Sequence, residues 1–498
     1  MKITRLSAAL VTIVSLTTTA CSNDLTGMNT NPNSPTTAPA GSLFSNATQT
    51  TVGRFNGSFQ TLSMTSLFAQ HIAQVQYVDE DRGHIRATTI DGLYSGIYTG
   101  ELEDYDKVRV MGQTAKTPNV WGPAVVMQGW IYQNMTDLWG DIPYTEALKG
   151  DIGGSLTPKY DAQKDIYYGV LASLTTASAG IKAAPATDAG LGSADLIFQG
   201  DGSKWQKFAN SLRARMALRM SKADPAKAAT ELSAAFAAGV MTSNSDNAKM
   251  AWPGDGVFDN PWAANFATRD DHRMSKTLLD TMNALHDPRV PVYAQPTKAD
   301  PTRYTGLQNG MTNPYSDSAT TTSRPGAIFY PGATSYGTFG TAAGKKTPSN
   351  LMNYAEVAFI QAEAAERGLG GLNGAAAYYN AAVTASIQQW GGSAADAATY
   401  LAQPGVAYVG GAAGLNQIGV QKWIALFSQG SEAWSEWRRT GNPATIKMGP
   451  NAYSDVQTVW RRLPYASNEL SVNAASLAAA IARQGPDNYA TRIWWDKP

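Results

Sequence analysis

Apolar residues recur at intervals of three and four positions over most of this 498-residue chain, and this spacing limits the folds open to it. It is the spacing of an amphipathic α-helix that buries one face against a neighbour. The cleanest example is Lys204–Met220, whose apolar residues fall on one helix face: Trp205, Phe208, Leu212 and Met216. The pattern fills two blocks, about residues 42–238 and 349–440. The sequence therefore predicts a mainly α fold.

Individual helices can be placed within this pattern. Gly53 and Gly57 are expected to interrupt or bend the first of them. In the last but one, Ala375, Tyr379 and Ala382 match the small–aromatic–small spacing of second helices in tetratricopeptide repeats. Such helices stack in pairs, because neither buries its apolar face alone. The predicted helices cover residues 42–77, 90–111, 120–139, 160–181, 204–220, 225–238, 271–286, 349–367, 373–390 and 415–439, the last of which is either one long helix or a broken one.

Residues 240–348 follow a different pattern. Gly, Pro, Asn and Asp are dense there, and aromatic residues are scattered among them. Apart from one helix, this composition predicts long loops with a few short strands. Loops of this length in a compact protein are usually functional. We therefore predict a single domain over residues 42–498 whose candidate ligand region is 240–348.

A leader precedes the only cysteine of the chain. It carries Lys2 and Arg5, an apolar run from Leu6 to Leu16, and small residues directly before Cys21. These zones are typical of a signal peptide, here residues 1–20, and the run is shorter than the ~20 apolar residues that span a bilayer. Cys21 has no disulfide partner, so it is either an exposed thiol or, as we expect, a lipidated N-terminus. Residues 21–41, rich in Asn, Thr and Pro, would then form a flexible tether.

Composition excludes several classes of protein. The 39 basic and 39 acidic residues balance, so nothing indicates a nucleic-acid partner. The mature body contains no apolar run of 18 residues and is not expected to span a membrane. The 13 Trp and 22 Tyr combine a flat apolar face with a polar tip, which suits sugar recognition. Most of these rings are nevertheless expected to fill the core.

Motifs for catalysis or cofactor binding are missing from the sequence. The four histidines form no HExxH pair, and there is no G-x-S-x-G elbow. The run Gly368–Gly371 lacks the full dinucleotide spacing and is predicted to be a turn. His71 lies in a helical pattern and is expected to be packed. We therefore predict no enzyme, no cofactor and no metal.

Two acidic runs have more than one interpretation: Asp79-Glu80-Asp81 and Asp270-Asp271. They can be solvated loops or helix starts, ligand contacts, Ca²⁺ ligands, or a carboxylate pair for glycoside hydrolysis. Carboxylates and guanidinium groups hydrogen-bond sugar hydroxyls, while aromatic rings cover the C–H faces. On that basis we select six candidate ligand residues: Tyr77, Asp79, Arg82, Trp252, Trp262 and Arg269.

Several segments, in order along the chain, together resemble one family. Three of them are Leu-Trp-Gly-Asp-Ile-Pro-Tyr at 138–144, Gln-Ala-Glu-Ala at 361–364, and Trp-Ser-Glu-Trp-Arg-Arg-Thr-Gly at 434–441. Gln-Lys-Trp-Ile-Ala-Leu-Phe at 421–427, Arg-Leu-Pro-Tyr at 462–465 and Asn-Glu-Leu at 468–470 complete the set. The chain resembles the SusD/RagB-like outer-membrane lipoproteins, in the branch with the Trp-Gly-Asp-Ile-Pro-Tyr signature.

The resemblance implies both a fold and a role. Such proteins pack four tetratricopeptide-like helix pairs against an irregular, loop-rich half. They are lipid-anchored at the cell surface of the outer membrane and cap a SusC-like TonB-dependent transporter. They bind glycan fragments, or in some relatives oligopeptides, for nutrient uptake, and they catalyse nothing. Their ligand loops vary, so the resemblance assigns no ligand residue here.

Most residues of the shared segments are expected to be structural. Pro143 should end a helix, because it disfavours helix at Ile142. Arg438 and Arg439 are expected to pair with carboxylates such as Glu356 or Glu363, or to cap carbonyls. Four aromatic residues at helical intervals should lie in the core or at an interface: Trp423, Phe427, Trp434 and Trp437.

Four functional hypotheses follow. The leading one is a surface lipoprotein that captures oligosaccharide for the transporter, because the loop region is neutral and aromatic. An oligopeptide receptor of the same architecture is the alternative. An exported glycoside hydrolase would lose turnover when Asp79 or Asp271 is changed to Asn. A scaffold without a small ligand would show no saturable binding.

Overall fold

A computed structural model describes residues 38–183, 190–330 and 344–498. Ala40–Pro498 form one compact unit, which is mainly helical as the sequence predicted. The leader, Cys21 and nearly all of the expected tether lie outside the described residues. No helix in the described part of the chain is long and apolar enough to cross a membrane.

The helices vary from single turns to more than twenty residues. Two segments, Ser58–Thr65 and Ile97–Glu101, have π-helical hydrogen bonding. In chain order the described α-helices are α1 Ala40–Phe55, α2 Ser66–Phe68, α3 Ala87–Gly96, α4 Leu102–Ala115, α5 Pro118–Trp139, α6 Gln163–Gly180, α7 Gly202–Arg219, α8 Pro225–Ala238, α9 Pro261–Phe266, α10 Lys276–Ala284, α11 Val290–Tyr293, α12 Tyr315–Ser318, α13 Tyr354–Glu366, α14 Ala375–Gln389, α15 Ala394–Leu401, α16 Gly411–Ala425, α17 Gly430–Thr440, α18 Glu469–Val472 and α19 Ala474–Gln484.

Strands are short and pair over long distances in sequence. The described strands are β1 Ile72–Gln74, β2 Ile142–Pro143, β3 Tyr160–Asp161, β4 Ala248–Met250, β5 His272–Met274 and β6 Ser349–Met352. They form three antiparallel two-stranded sheets, β1–β5, β2–β3 and β4–β6. The β1–β5 sheet sets Ile72 opposite Met274 and so attaches the loop-rich region to the N-terminal segment.

Helices pack in two groups around one core. From α4 to α8 each helix contacts the next. In the second group, α14 packs on α13 and α15, and α16 packs on α13, α14 and α17. The two groups meet where α7 packs on α13. The apolar face predicted for α7 is confirmed, since none of its four residues is more than 1% exposed: Trp205, Phe208, Leu212 and Met216.

Several predicted helix starts are strands instead. Residues 160–161, 272–274 and 349–352 were assigned to helices, but each forms a strand just before its helix begins. A strand of two to four residues is too short to show a period of its own. The apolar spacing of the following helix was therefore read as starting a few residues too early. The predicted first helix also breaks, because α1 ends at Phe55. The last predicted helix, 415–439, is divided into α16 and α17.

A buried ion-pair network connects the helix groups. Arg219 of α7 is fully buried and pairs with Asp137 of α5 and with Glu432 of α17. One turn earlier, Arg215 Nε lies 2.6 Å from Glu356 Oε1 of α13. Breaking a buried pair by removing one partner typically costs ~3–5 kcal/mol. These contacts therefore fix α5, α7, α13 and α17 relative to one another.

Segments quoted for the family resemblance mostly build this core. The four aromatics expected to be interior, in α16, in α17 and in the turn between them, are at most 9% exposed: Trp423, Phe427, Trp434 and Trp437. Arg439 Nη1 donates to Glu363 Oε1 at 2.6 Å, which confirms that pairing. Arg438 pairs with neither predicted glutamate. Its guanidinium lies 3.7 Å over the Trp434 ring and donates to the Arg461 carbonyl at 2.8 Å.

The Trp-Gly-Asp-Ile-Pro segment ends α5 and holds the C-terminal region. Trp139 Nε1 donates to the Pro464 carbonyl at 2.9 Å, and Arg483 Nε donates to Asp141 at 2.7 Å. Gly140 has φ +86°, and a Cβ there would collide with the Gln484 side chain. This position therefore requires glycine. Its role is structural, as the sequence predicted.

Candidate ligand-binding groove

An open groove of about 860 Å³ lies among four segments of the chain. Its walls are the end of α1, the π-helical segment Ser58–Thr65, residues 86–93 leading into α3, and the helix α9. This volume falls within the ~300–1,000 Å³ usual for small-ligand sites. We call it the Phe59 groove. Its lining residues are Thr50, Gly53, Arg54, Gly57, Ser58, Phe59, Gln60, Met64, Arg86, Thr88, Thr89, Gly92, Leu93, Pro261, Ala264 and Asn265.

Phe59 is an exposed aromatic side chain in this groove. It is 61% exposed, whereas Leu62 three residues later is fully buried. The chain turns sharply into the π-helical segment at Gly57, where a Cβ would lie only 2.8 Å from the Gly53 carbonyl oxygen. Thr61 Oγ1 donates to the Gly57 carbonyl at 2.8 Å and closes this turn. The local backbone therefore presents a large apolar ring to solvent beside the groove.

Charged side chains in the groove walls are already paired. Arg54 Nε lies 2.6 Å from Glu101 Oε1, and its Nη1 donates to the Gly92 carbonyl at 3.3 Å. On the facing segment, Arg86 Nη2 lies 2.6 Å from Glu80 Oε1. Both carboxylates are almost completely buried. The walls consequently present donors without a net charge, which favours a neutral ligand over an ionic one.

Two amides of the lining have an atom without a partner among the described residues. These atoms are Oε1 of Gln60 and Nδ2 of Asn265. Buried polar groups are usually hydrogen-bonded, and water or a ligand commonly supplies the missing partner. Gln60 and Asn265, with Thr50, Thr88 and Thr89, give the groove uncharged polar side chains in addition to the Phe59 ring.

Trp252 and Trp262, two of the predicted ligand residues, are core residues. Trp252 is 6% exposed and Trp262 is 2% exposed, so neither ring can receive a ligand from solvent. Trp252 approaches the Gly53 position to 3.5 Å, and Trp262 Nε1 donates to Thr61 Oγ1 at 2.8 Å. As ligand contacts these two predictions are wrong. The rings instead pack behind the groove walls and hold α1 and the π-helical segment in place.

The other four predicted residues lie at the surface, but outside the groove lining. Tyr77 has φ +53° and is 67% exposed, and the Arg269 guanidinium lies 5.5 Å from its ring centroid. Arg269 also binds Asp271 at 2.9 Å. Of the six residues predicted to form one ligand site, Tyr77 and Arg269 are thus in contact with each other.

Asp79 and Arg82 meet on a tyrosine of the C-terminal region. Asp79 Oδ1 accepts from the Tyr453 hydroxyl at 2.5 Å, and this hydrogen bond raises the pKa of Tyr453. The Arg82 guanidinium lies 4.0 Å from the Tyr453 ring centroid, and His84 stacks on the same ring at 3.8 Å. Two groups this close must occupy opposite faces. Tyr453 therefore offers no free face to a sugar, whereas Tyr77 keeps one.

The acidic runs are held by protein contacts. Asp81 is buried and accepts from Asn309 Nδ2 at 2.7 Å, and burial raises its pKa to about 6. Asp270 pairs with Arg273 and with Arg324. No group of three or more potential metal ligands converges anywhere in the described part of the chain. The Phe59 groove is lined by no carboxylate, so a facing pair for glycoside hydrolysis is missing there.

Sequence reasoning did not single out most of the groove. Phe59 was counted among apolar residues of a helical face, and only α9 comes from the predicted ligand region 240–348. The usable signal was the Gly53–Gly57 spacing just before Phe59. It indicated a bend in the first helix, although not which side chain the bend would expose.

Comparison with known proteins assigns the chain to a family. A SusD-like family model, described as "Starch-binding associating with outer membrane", matches residues 32–466. The chain belongs to the SusD-like family. The resemblance found in the sequence is thereby confirmed. No curated protein matches the chain significantly.

Solved SusD homologues share this fold along nearly their whole length. A chitin-binding homologue from Flavobacterium johnsoniae is 26% identical with a TM-score of 0.79, covering 92% of this chain and 98% of that one. Another structure, described as a chitin-binding protein, is 26% identical with a TM-score of 0.80, covering 92% and 100%. A homologue from Bacteroides uniformis is 25% identical with a TM-score of 0.78, covering 92% and 99%.

Proposed function

We propose that this SusD-like protein is a glycan-binding lipoprotein of the outer-membrane surface. It captures oligosaccharides in the Phe59 groove and delivers them to a SusC-like TonB-dependent transporter, without catalysing a reaction. The observation that carries the proposal is the groove itself: an exposed ring among uncharged hydroxyl, amide and ion-paired groups. A sugar matches this pattern because it has an apolar C–H face and a polar rim.

Charge pairing favours a glycan over an oligopeptide. Arg54 and Arg86 are neutralised by Glu101 and Glu80, so a peptide's charged termini and side chains would find no free counter-charge in the lining. A neutral sugar needs none. Two similar structures are described as chitin-binding and the family description names starch, which makes chitin and starch oligosaccharides the first ligands to test.

Isothermal titration calorimetry of the purified mature protein tests this function. Chitohexaose, maltohexaose and a mixed oligopeptide library are titrated separately. We expect saturable heat with at least one oligosaccharide and none with the peptides. Saturation by peptides alone, or by no member of the panel, would overturn the glycan assignment.

The membrane anchor is proposed to be lipid attached at Cys21. This cysteine follows a leader of signal-peptide type and has no other cysteine to pair with. Growth of cells on radioactive palmitate should label the wild-type protein and leave Cys21→Ser unlabelled. Equal labelling of both would refute the anchor while leaving ligand binding unaffected.

A further inference from the structure

A second groove, of about 600 Å³, lies on the helical side of the molecule. It is bounded by α4, α5, α6 and the chain at 144–152, and it shares no lining residue with the Phe59 groove. We call it the Tyr132 groove, after the residue in its floor.

Tyr132 has a hydroxyl without a partner in the described part of the chain. The side chain is only 6% exposed and lines the groove, and its hydroxyl makes no hydrogen bond to any described residue. Tyr144 packs against it edge-on, with ring centroids 4.8 Å apart and an interplanar angle of 89°. This hydroxyl is not one of the buried atoms that lack both a partner and solvent, so it is open to water or to a group that enters the groove.

Polar groups with defined geometry line the same groove. Arg109 Nε donates to Asp106 Oδ1 at 2.9 Å, and its Nη1 donates to Gln113 Oε1 at 2.8 Å. Gln128 Nε2 lies 3.4 Å from the same Asp106 oxygen. The Asp106 carboxylate is thus paired and oriented, and this part of the wall carries planar groups that can donate and accept hydrogen bonds.

The apolar part of the groove is aromatic as well. Trp121 is half-buried and lines the groove next to α6. Gly180 makes this approach possible, because a Cβ there would lie 2.5 Å from the indole ring. Tyr144 is also half-buried and fits against Gly169 in the same way, at 2.6 Å. The glycines keep both rings at the groove surface.

We propose that the Tyr132 groove is a second saccharide-binding site, independent of the first. A purely apolar ligand would leave the Tyr132 hydroxyl and the Asp106–Arg109 pair desolvated, which is costly. The lining also contains Lys149, which is exposed and has no carboxylate partner among the described residues, so its one positive charge stays in water when a neutral ligand binds. An uncharged polyhydroxylated ligand satisfies the hydroxyl, contacts the paired groups and covers the exposed parts of Trp121 and Tyr144.

Two substitutions on one helix separate this site from its surroundings. Ala172 is exposed on α6 and lines the groove, so Ala172→Trp should fill it without disturbing the core. Thr175 is exposed on the same helix but is not part of the lining, so Thr175→Trp is the matched control. Tyr132→Phe removes only the hydroxyl. Each variant is titrated with chitohexaose and maltohexaose, and crystals of the wild type are soaked in the same sugars.

We expect wild type to bind sugar in two places and Ala172→Trp to lose one of them, while Thr175→Trp keeps both. Tyr132→Phe should weaken the second site roughly three- to tenfold, the range for one neutral hydrogen bond. Identical isotherms for wild type and Ala172→Trp, with sugar only at Phe59, would overturn the second site and leave the proposed function intact. If Ala172→Trp abolished sugar binding and Phe59→Ala did not, the sugar would bind in the Tyr132 groove and not in the Phe59 groove. No binding by any variant would overturn both.

Discussion

His71 is a buried histidine that makes the stability of this protein depend on pH. It packs between the rings of Trp423 and Phe427, and its Nε2 lies 3.0 Å from the Trp423 carbonyl oxygen. Burial lowers its pKa from 6.5 to about 3. The unfolded chain takes up a proton near pH 6.5 and the folded chain does not, so this contribution to stability is present above pH 6.5 and is lost as the pH falls towards 3.

His71→Gln, which keeps a donor for the Trp423 carbonyl, should remove this dependence. Urea unfolding between pH 4.5 and 6.5 should then show a smaller slope of unfolding free energy against pH, by at most about 1.4 kcal/mol per pH unit. His272, whose burial lowers its pKa to about 4, retains part of the wild-type slope in the variant. Parallel curves for wild type and His71→Gln would contradict this account.

Single residues were predictable from sequence only where burial follows from a regular pattern. The packing of Trp434 followed from the helical spacing of α17. His71 is buried as expected, but it lies between α2 and β1 and not in the helix that the sequence pattern predicted. Trp252 and Trp262 lie in a region without such spacing, so aromatic character alone could not separate a core ring from a ligand platform. For Phe59 the error is the opposite one: it was expected to be buried and is exposed. A helical period of 3.6 residues placed it on the buried face, but this segment is π-helical and has a different period.

The turn into the π-helical segment is the element on which the Phe59 groove depends. A Cβ at Gly57 would lie 2.8 Å from the Gly53 carbonyl, so Gly57→Ala must push α1 and the segment apart. Overpacking of this kind typically costs ~1–3 kcal/mol. Thermal and urea unfolding should therefore show destabilisation in that range, together with weaker sugar binding.

Gly53→Ala is the matched control for this prediction. A Cβ at that position lies 3.5 Å from Trp252, which is ordinary contact, and alanine favours helix over glycine by roughly 0.5–1 kcal/mol. The free energy of unfolding of Gly53→Ala should equal or exceed that of the wild type. If both glycine variants were equally stable, the turn would not be held as tightly as the structure indicates.

Elements were predictable in proportion to their length. The long helices α5, α7, α8 and α14 were placed within a few residues, because each repeats its period several times. The two- to four-residue strands were absorbed into neighbouring helices, because they have no period to detect. The pairing of β1 with β5, across about 200 residues, depends on tertiary contacts that local pattern does not encode.

At the scale of the whole molecule, the fold class followed from the sequence and the groove did not. Helical periodicity and the ordered family segments together indicated a SusD-like fold. The Phe59 groove is built from residues near 50–64, 86–93 and 261–265, which only the finished packing brings together. The buried network around Arg219 fixes that packing by joining α5 and α7 to α17.

Calorimetry of groove variants tests the central claim, capture of a glycan beside Phe59, most directly. Titrations with chitohexaose and maltohexaose compare Phe59→Ala with Leu470→Ala. Leu470 is an apolar residue outside the groove, and its side chain is 64% exposed, close to the 61% of Phe59. All chains carry Ala172→Trp, so that only the Phe59 groove is open. We predict that Phe59→Ala weakens sugar binding roughly tenfold, about 1.4 kcal/mol, and that Leu470→Ala does not. Equal affinity in the two variants would contradict the account.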